Sequence, residues 1–478
     1  MDKQTALNYL DGKQELLFSV SDSIWDHPET DYTEVVSSSI LKDALRQEGF
    51  AVTENVDGIP TAFSASYGSG RPVIGILGEF DALPGLSQKA CAAEQSPEVP
   101  GGNGHGCGHN LLGTGSLGAA MAVKEYLKGT GRSGTVIYFG CPAEEGGSAK
   151  AFLARDGVFS GVDACLSWHP NGMNSVWSFS SLANVKVRYH FKGISAHAGT
   201  SPHLGRSALD ALELMNVGVQ FLREHIIPEA RVHYAITNAG GDAPNIVQAE
   251  AEAVYLIRAP KNSQLKDIYE RVNQIARGAA MMSGVEVDMH LEKACSNILV
   301  NHSLEQALYD NMKSVRLPQY TDEEYSFAKA IQGTFSNYTK LADKLGALMG
   351  DQGRELGAEY DEKGIYGFVM PYRPSEKPVS GSSDVGDVSW VCPTSQIVAA
   401  TCAGGTPEHT WQMVSQGKSS IAHKGLLYAG KVLAGAAIDL LEHPELVKAA
   451  REEFEKRVSA EGYAPLLPKD LKPRLAEK

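Results

Sequence analysis

Three short apolar runs, each ending in residues with reactive side chains, constrain this chain more than any other feature. The runs are PVIGILGEF (72–80), TVIYFGC (135–141) and DACLSWH (163–169). Runs of this length that end in polar residues are typical of buried strands whose carboxyl ends carry function. The helical stretch LLGTGSLGAAMAVKEYLK (111–128) separates the first two runs. This alternation predicts an α/β fold, a sheet with crossover helices.

From about residue 183 the pattern changes to strands of alternating polarity and amphipathic helices, in the order β-α-β-β-α-β. That order is the split-βαβ arrangement. We therefore expect a separate module of residues 183–297, inserted into an α/β domain of residues 1–182 and 298–478. The stretch 333–363 shows no clear period, and we expect a loop-rich excursion there.

Bulk composition excludes several kinds of partner. The net charge is −14 over 478 residues and no basic run is interleaved with aromatic residues, so we expect no nucleic acid or anionic membrane as partner. No segment approaches the roughly 20 apolar residues that cross a bilayer, and the charged N-terminus lacks the apolar core of a signal peptide. The seven cysteines are odd in number and scattered, which argues against a disulfide framework. We expect a cytoplasmic protein.

Side chains able to bind a metal occur at the predicted strand ends and in one glycine-rich loop. The loop GHGCGHN (104–110) carries a cysteine and histidines between glycines, and the pair Glu144-Glu145 follows the second apolar run. One thiolate, three imidazoles and one carboxylate suit Zn²⁺ or Mn²⁺, as one ion or two. The candidate ligands are Cys107, His109, Glu145, His169 and His409.

Each candidate also has an ordinary structural interpretation. A glycine-rich turn needs no metal, adjacent glutamates are common on surfaces, and an isolated histidine is more often structural than a ligand. His423 competes with His409, although the residues around His423 predict a helix. Cys107 is alternatively a nucleophilic thiol, which requires an activating histidine and no metal.

Four further residues are candidates for supporting roles. Asp81, at the end of the first apolar run, either orients a metal-bound histidine or caps the following turn. In the inserted module, His197 lies in a loop of small residues, Asn245 lies between two later strands, and Arg258 falls on a predicted strand. Arg258 pairs either with a surface carboxylate or, through its planar fork, with a substrate carboxylate.

Taken together, these motifs resemble the amidohydrolase branch of the aminoacylase and carboxypeptidase G metallopeptidases. The similarity is carried by IWDHPET, HGCGHN, CPAEEGG, WHP, the Gly-x-x-Ala-His-Ala loop and EHT, which occur in the family's order over nearly the whole chain. The resemblance implies a zinc-peptidase-like α/β catalytic domain with a mixed sheet and helices on both faces. It also implies an inserted ferredoxin-like α+β lid that forms the dimer, and a site for two divalent metal ions, Mn or Zn.

The resemblance implies a role for each candidate residue. Glu144 matches the general base, and His197 matches a lid histidine that reaches a neighbouring subunit's site and stabilises the oxyanion. Asn245 and Arg258 match positions that contact the substrate carbonyl and carboxylate. The implied metal ligands are Cys107, His109, Glu145, His169 and His409.

Two positions depart from the family's pattern. The wider family opens its metal set with His-x-Asp; this chain has Glu79-Phe80-Asp81 and lacks that histidine, as is usual in the branch where a cysteine enters the set. Asn110 follows Cys-Gly-His where the branch commonly has Asp, which changes the charge beside the ligands without removing a ligand.

The implied reaction is metal-dependent hydrolysis of the amide bond in an N-acyl or N-aroyl amino acid, with p-aminobenzoyl-glutamate as the favoured substrate. A dipeptidase or a general N-acyl-amino-acid deacylase is the alternative that shares this chemistry. A non-catalytic or regulatory subunit is the alternative from another class, and the intact ligand set argues against it. We expect a homodimer or a heterodimer with a related subunit. The sequence assigns no aromatic pair to the aroyl ring.

Overall fold

The computed structural model describes residues 1–336 and 338–475, and its strands form one eight-stranded and one four-stranded sheet. The helices are α1 (Lys3–Asn8), α2 (Gln14–Trp25), α3 (Val35–Gln47), α4 (His109–Thr130), α5 (Ala149–Arg155), α6 (Ala208–Arg223), α7 (Asn262–Ser283), α8 (His302–Ser314), α9 (Asp322–Gln332), α10 (Leu341–Met349), α11 (Asp351–Lys363), α12 (Val385–Val391), α13 (Trp411–Gln416), α14 (Ser420–Glu442) and α15 (Pro444–Glu461). The strands are β1 (Ala51–Glu54), β2 (Phe63–Ser69), β3 (Val73–Glu79), β4 (Gly134–Cys141), β5 (Ala164–Asn171), β6 (Met173–Val176), β7 (Ala183–Lys192), β8 (Arg231–Asn238), β9 (Glu250–Ala259), β10 (Glu286–Cys295), β11 (Tyr366–Val369) and β12 (Thr394–Ala400).

The larger sheet has the strand order β1-β2-β4-β3-β5-β12-β6-β11. Strands β4, β3, β5 and β12 run parallel to one another at its centre, whereas β2 and β6 are antiparallel to their inner neighbours. The three apolar runs of the sequence form β3, β4 and β5, and α4 connects β3 to β4. A parallel pair needs such a crossover connection. The predicted α/β fold with a mixed sheet is confirmed.

Helices cover both faces of the larger sheet because its central strands are apolar on both sides. Ile74 and Ile76 of β3 belong to the core formed with α4 and α14, and Leu77 belongs to the core that includes α5 and α12. Strands that are buried on both faces carry a continuous apolar sequence instead of an alternating one. The unbroken apolar run in β3 has this cause.

The helices α4 and α14 approach each other closely because small residues lie where they meet. A Cβ atom on Gly115 of α4 would lie 2.6 Å from Cζ2 of Trp168 on β5, and one on Gly430 of α14 would lie 2.9 Å from the carbonyl oxygen of Gly115. Trp168 is fully buried, and its indole N–H donates to the carbonyl oxygen of Leu112 at 3.0 Å. This packing fixes α4 against β5, the two elements that carry His109 and His169.

The helix α14 is a core helix. It is 23 residues long, and Ala429 and Leu433 within it are fully buried. Its Lys431 reaches the surface and pairs with Asp11 at 2.6 Å. Across residues 1–336 and 338–475, no helix is long and apolar enough to cross a membrane.

The smaller sheet is antiparallel throughout, in the order β10-β7-β9-β8, with α6 and α7 packed against it. Its elements follow the chain in the order β7-α6-β8-β9-α7-β10, which is the expected split-βαβ order. Alternate residues of β7 are buried, among them Val187, Tyr189 and Phe191. Such alternation is typical of a sheet with one covered face. The module boundaries at residues 183 and 297 stay a prediction.

The expectation of a loop-rich excursion at residues 333–363 is wrong. The helices α10 and α11 occupy most of this stretch, while Asn337 lies outside the described residues. Glycines obscure the helical pattern in the sequence: Gly350, with a φ of 71°, separates α10 from α11, whereas Gly353 and Gly357 within α11 mark close helix contact. A Cβ atom on Gly357 of α11 would lie 2.5 Å from Cα of Ala342 on α10.

We expect the substitution Gly115→Ala to lower the free energy of unfolding by about 1–3 kcal/mol, because the added methyl group would overlap the Trp168 ring. Urea unfolding followed by circular dichroism measures this loss. Gly278→Ala is the matched control, since Gly278 also lies inside a helix and an added Cβ would meet nothing within 4 Å. The control should be unchanged or more stable by about 0.4–1 kcal/mol. Equal losses in both variants would contradict this account of the contact.

Candidate metal centre

The carboxyl ends of three parallel strands bring the candidate ligands to one edge of the larger sheet. Strand β3 ends two residues before Asp81, strand β4 is followed by Glu144 and Glu145, and strand β5 carries His169 near its end. In open α/β sheets, ligands bind outside the carboxyl ends of the strands. The loop after β12 adds His409 at the same edge.

The glycine-rich loop contributes Cys107 and His109 to this edge. Gly108 has a φ of 76°, in the left-handed region that favours glycine, and it immediately precedes α4, which begins at His109. His105 is engaged elsewhere, because its Nε2 lies 3.1 Å from the carbonyl oxygen of Ile24. Two of the three soft donors in the loop therefore reach the cluster, and the third has a structural contact.

The five candidate ligands form two adjacent groups. In the first group, one atom each from Cys107, His109 and His169 lies within 4.8 Å of the others; in the second, the same holds for Cys107, Glu145 and His409. Cys107 belongs to both groups, and its Sγ lies 3.4 Å from Nε2 of His169. The fold thus brings all five residues together around one shared sulfur atom. Two adjacent ligand groups are suited to two neighbouring divalent ions.

The unpaired polar atoms in the cluster fit metal ions. Nδ1 of His169 lies 2.9 Å from the carbonyl oxygen of Pro170, so Nδ1 carries the proton and Nε2 is free to bind a cation. Within the described residues, the buried Nε2 of His109 and Oε1 of Glu145 make no hydrogen bond. Buried polar atoms are almost always paired. Bound cations would satisfy these two atoms.

Asp81 connects the two ligand groups. Its Oδ1 accepts a hydrogen bond from Nδ1 of His109 at 2.8 Å, and its Oδ2 accepts one from the backbone N–H of Glu145 at 2.9 Å. A carboxylate in this position fixes the tautomer and orientation of a metal-binding imidazole. These are the contacts that the orienting role requires.

The turn that carries Glu144 and Glu145 has a strained backbone. Ala143 has a φ of 53°, a left-handed conformation that costs about 1–2 kcal/mol for a residue with a side chain. The buried carboxylate of Glu34 accepts a hydrogen bond from the backbone N–H of Ala143 at 2.9 Å and holds this turn. Sequence reasoning missed Glu34, since 109 positions separate it from its partner.

Charges within the cluster shift the pKa values of its members. Burial alone would lower the pKa of His109, but the carboxylates of Asp81 and Glu79 raise it to about 10. Burial alone would raise the pKa of Glu145, but the nearby imidazole of His409, with Nε2 3.3 Å from Oε1, and the charge of His109 lower it to about 2. A bound cation would displace the proton of His109 and take over its charge.

The surroundings of Cys107 disfavour the alternative of a nucleophilic thiol. Burial and the neighbouring carboxylates of Glu145, Glu408 and Glu144 raise the pKa of Cys107 well above its usual value. A nucleophilic thiol needs a lowered pKa, whereas a thiol that coordinates a metal releases its proton when the cation binds. This acidic environment favours a ligand over a nucleophile.

A buried ion-pair network, not predicted from the sequence, lies beside the cluster. Lys150 of α5 is fully buried, with Nζ 2.8 Å from Oε1 of Glu79 and 2.6 Å from Oδ1 of Asp384. Oε2 of Glu79 lies 3.3 Å from Nε2 of His109. Glu79 stands where the wider family has a histidine ligand, and Lys150 neutralises its charge. No sequence signal marks Lys150, because lysine in a helix is usually exposed.

Glu144 lies beside the ligands without belonging to the set of five. One of its carboxylate oxygens lies within 4.8 Å of ligand atoms from Glu79 and His109. Burial and the charges of Glu79, Glu145 and Asp384 raise the pKa of Glu144 well above its usual value. A carboxyl group with a raised pKa is suited to take up and return a proton near neutral pH.

The cluster forms part of the wall of a cavity of about 610 Å³, which residues of both sheets line. Cavities of this size hold small-molecule substrates. Arg258 of β9 lines the cavity, with one guanidinium nitrogen 3.3 Å from the carbonyl oxygen of Ser380 and from Oγ of Ser382. No carboxylate within the described ranges pairs with Arg258, and burial lowers its pKa. The alternative that Arg258 pairs with a surface carboxylate is therefore wrong.

His197 and Asn245 lie next to each other but outside the cavity of their own chain. Both residues are exposed, and the backbone N–H of Ala198 donates to the carbonyl oxygen of Asn245 at 2.9 Å. Nδ1 of His197 accepts hydrogen bonds from the backbone N–H groups of Gly199 and Thr200 at 3.1 Å. Neither residue therefore contributes to the cavity of its own chain in this structure.

Asn110 and His423 make structural contacts. The side-chain amide of Asn110 donates to Oγ of Ser21 at 3.1 Å. Asn110, which replaces the usual Asp of the branch, therefore contacts α2. His423 stacks on Phe18 with ring centroids 4.3 Å apart, and its Nε2 lies 2.8 Å from Oδ1 of Asp22. His409, and not His423, is the histidine that joins the cluster.

Comparison with known proteins agrees with this geometry. The family model described as peptidase family M20/M25/M40 matches residues 75–363. The chain belongs to this family. One relative is a subunit of p-aminobenzoyl-glutamate hydrolase from Escherichia coli (strain K12), 48% identical over 456 residues that cover 95% of each chain. Another is Xaa-Arg dipeptidase of Homo sapiens, 28% identical over 471 residues that cover 95% of this chain and 92% of that protein.

The fold of this M20/M25/M40 family member is also similar to solved structures. One of them is a dinuclear metal-binding peptidase of the M20 family from Bacillus subtilis, with a TM-score of 0.55 and 18% identity, covering 90% of this chain and 99% of that one. Family membership and the hydrolase relative at 48% identity identify the chain as an enzyme that hydrolyses amide bonds. The resemblance to metallopeptidases is confirmed. The roles of individual site residues stay predictions.

We expect Cys107→Ala to weaken both ion sites at once, because Cys107 belongs to both ligand groups. After chelation and addition of Mn²⁺ or Zn²⁺, the unaltered protein should hold about two ions per chain and the variant fewer than one, as measured by elemental analysis. His169→Ala and His409→Ala remove a ligand from different groups, and each should keep one ion. His423→Ala is the control that should keep both. Two ions in Cys107→Ala would contradict a shared sulfur ligand.

We expect Lys150→Met to lower the free energy of unfolding by about 3–5 kcal/mol, since it leaves Glu79 and Asp384 buried without their cation. Urea unfolding of the chelated protein measures this. Lys3→Met is the matched control: Lys3 also pairs with an aspartate at 2.7 Å, but both side chains are partly exposed, at 28% and 21%. The control should cost about 1 kcal/mol or less. An equally small loss of unfolding free energy in Lys150→Met would contradict the buried ion pairs of Lys150 with Glu79 and Asp384.

Proposed function

We propose that the protein hydrolyses the amide bond of p-aminobenzoyl-glutamate to give p-aminobenzoate and glutamate, using two divalent ions, Mn²⁺ or Zn²⁺. One observation carries the proposal: five ligand-type side chains form two groups around Cys107 at the wall of a cavity, with Glu144 beside them. The relative from Escherichia coli, a subunit of p-aminobenzoyl-glutamate hydrolase, supports the substrate.

The ligand atoms would hold the ions in two places that share Cys107. Nε2 of His109 and Nε2 of His169 would bind on one side of the sulfur, and Glu145 with His409 on the other. When bound, the ions would polarise the substrate carbonyl and lower the pKa of a water molecule. The mixture of thiolate, imidazole and carboxylate supports Zn²⁺ or Mn²⁺ over a hard cation such as Ca²⁺, which prefers oxygen ligands.

Glu144 would move the protons of the reaction. Its carboxylate would take a proton from the attacking water and then deliver it to the nitrogen of the departing amino acid. Two observations support this role: a Glu144 oxygen lies within 4.8 Å of ligand atoms, and the pKa of Glu144 is raised by burial and by the carboxylates around it. Asp81 would keep the ring of His109 in place during these steps.

Two cationic side chains in the cavity favour an acidic amino acid as the leaving group. Arg258 and Lys293 both line the cavity, and Lys293 donates to the carbonyl oxygen of Glu145 at 2.8 Å. Glutamate has two carboxylates, and a guanidinium group binds a carboxylate through two parallel hydrogen bonds. The arginine side chain of an Xaa-Arg dipeptide would instead meet like charge. This favours hydrolysis of a glutamate amide over the dipeptidase alternative.

A neighbouring subunit would complete the site. His197 and Asn245 are exposed and lie away from their own cavity, where they are free to enter the cavity of a second chain and contact the substrate carbonyl. The relative from Escherichia coli is named as one subunit of its hydrolase. The working assembly would be a homodimer or a heterodimer with a related subunit.

The direct test is release of glutamate from p-aminobenzoyl-glutamate by the purified chain alone, after chelation and after Mn²⁺ or Zn²⁺ is added back. The proposal expects release only with the metal. If release required a related subunit although this chain bound two ions, the assembly would be a heterodimer. If the chain bound the ions but released no glutamate, either alone or with a related subunit, p-aminobenzoyl-glutamate would not be the substrate.

We expect Glu144→Gln to lower kcat by about 10²–10⁴-fold, because the amide cannot accept the proton of the attacking water. The variant should still bind two ions, since Glu144 is not one of the five ligands. Glu442→Gln is the matched control, a carboxylate on α14 that is in contact with the hydroxyl of Tyr126 and far from the cavity lining. Full activity in Glu144→Gln would overturn its assignment as the base.

A further inference from the structure

We propose that Trp177 and Phe179 form an aryl-binding wall that selects aromatic acyl groups over aliphatic ones. This wall is a second part of the cavity described above, and no motif in the sequence points to it. The inference rests on the proposed hydrolysis of p-aminobenzoyl-glutamate, for which it identifies the side chains that contact the ring.

The alternation along β6 and its continuation points these side chains into the cavity. Met173, Ser175, Trp177 and Phe179 are partly exposed and line the cavity, while the intervening residues are buried and, apart from Val176, do not line it. Strand β6 pairs antiparallel with β12, and the backbone N–H of Trp177 donates to the carbonyl oxygen of Gln396 at 2.9 Å. The backbone of the wall is therefore fixed by the larger sheet, as preorganised recognition requires.

The wall lies directly beside the ligand cluster. The ring centroids of Trp177 and His169 are 6.3 Å apart, and Nε2 of His169 lies 3.4 Å from Sγ of Cys107. In an aroyl amide the ring is bonded to the carbonyl carbon that is attacked. A substrate whose carbonyl reaches the ligand cluster therefore places its ring next to Trp177. An acetyl group would leave the same space empty.

The indole of Trp177 is partly exposed and lines the cavity. Its Nε1–H is buried and donates to no atom within the described residues. Tryptophan N–H groups usually have a partner when buried, and aromatic rings bind other rings in stacked or edge-on geometry. Phe179 supports the indole, with ring centroids 4.7 Å apart and planes inclined at 41°. An aromatic ligand in the cavity would contact the exposed part of the indole ring.

The two walls of the cavity come from different sheets. Trp177 follows β6 of the larger sheet, whereas Arg258 lies on β9 of the smaller one. One wall is aromatic and the other cationic. This arrangement matches a substrate with an aryl group at one end and an acidic amino acid at the other.

The test compares Trp177→Leu with the unaltered protein on two amides of the same amino acid, p-aminobenzoyl-glutamate and N-acetyl-glutamate. We expect kcat/KM for the aroyl substrate to fall about tenfold or more, because ring contacts are lost. For the acetyl substrate it should change less than about twofold, since that acyl group does not reach the indole. The measured quantity is the ratio of kcat/KM for the aroyl substrate to kcat/KM for the acetyl substrate. Loss of folding would lower both kcat/KM values together.

Tyr360→Leu is the matched control. Tyr360 forms a similar pair with Phe368, with centroids 4.5 Å apart and planes inclined at 39°, but it packs with α10 and does not line the cavity. This substitution should leave kcat/KM for both substrates unchanged. Phe179→Leu serves as the second variant if Trp177→Leu does not fold, and it should shift the ratio in the same direction.

A binding measurement separates failure of this inference from failure of the proposed function. Calorimetric titration of the chelated protein with p-aminobenzoate should show binding that Trp177→Leu weakens about tenfold and Tyr360→Leu leaves unchanged. If the unaltered protein cleaves neither amide, the proposed reaction is wrong, and this titration still decides the aryl wall. Two results would contradict the proposed aryl-binding wall. One is an equal loss of kcat/KM for both amides in folded Trp177→Leu, and the other is unchanged binding of p-aminobenzoate in that variant.

Discussion

The buried carboxylate of Asp81 ties the two halves of the candidate metal centre together. One oxygen holds the ring of His109 at the start of α4, and the other holds the backbone of Glu145 after β4. Each ligand group contains one of these two residues. The distance between the groups therefore depends on a side chain outside the five candidate ligands. Supporting contacts of this kind commonly decide metal affinity as much as the ligands do.

The edge of the sheet that carries the candidate metal centre must also balance its buried charges. Several carboxylates lie close together there, and burying each without a partner costs several kcal/mol. Lys150 compensates Glu79 and Asp384. On the cavity side, Glu144 and Glu145 face the imidazoles of the cluster, where bound cations would supply the missing positive charge. Metal binding and the stability of this edge are coupled for that reason.

The sequence predicts the strand ends well because each of β3, β4 and β5 is a continuous apolar run that stops at a chemically active residue. It points to five candidate ligands through their motifs, and the fold brings all five together. It does not reveal Lys150 or Glu34, whose partners lie far away along the chain. Glycines hide the hairpin of α10 and α11, because close helix packing and chain breaks use the same residue. Nor does it reveal Trp177, because β6 has only four residues, too few for an alternation to be recognised.

The central claim is that Cys107 is shared by two neighbouring ions. Anomalous diffraction from crystals of the Mn²⁺- or Zn²⁺-loaded protein, collected at the absorption edge of the metal, tests it most directly. The account predicts two peaks per chain, one next to Cys107, His109 and His169 and the other next to Cys107, Glu145 and His409. A single peak, or peaks that do not contact Cys107, would contradict it.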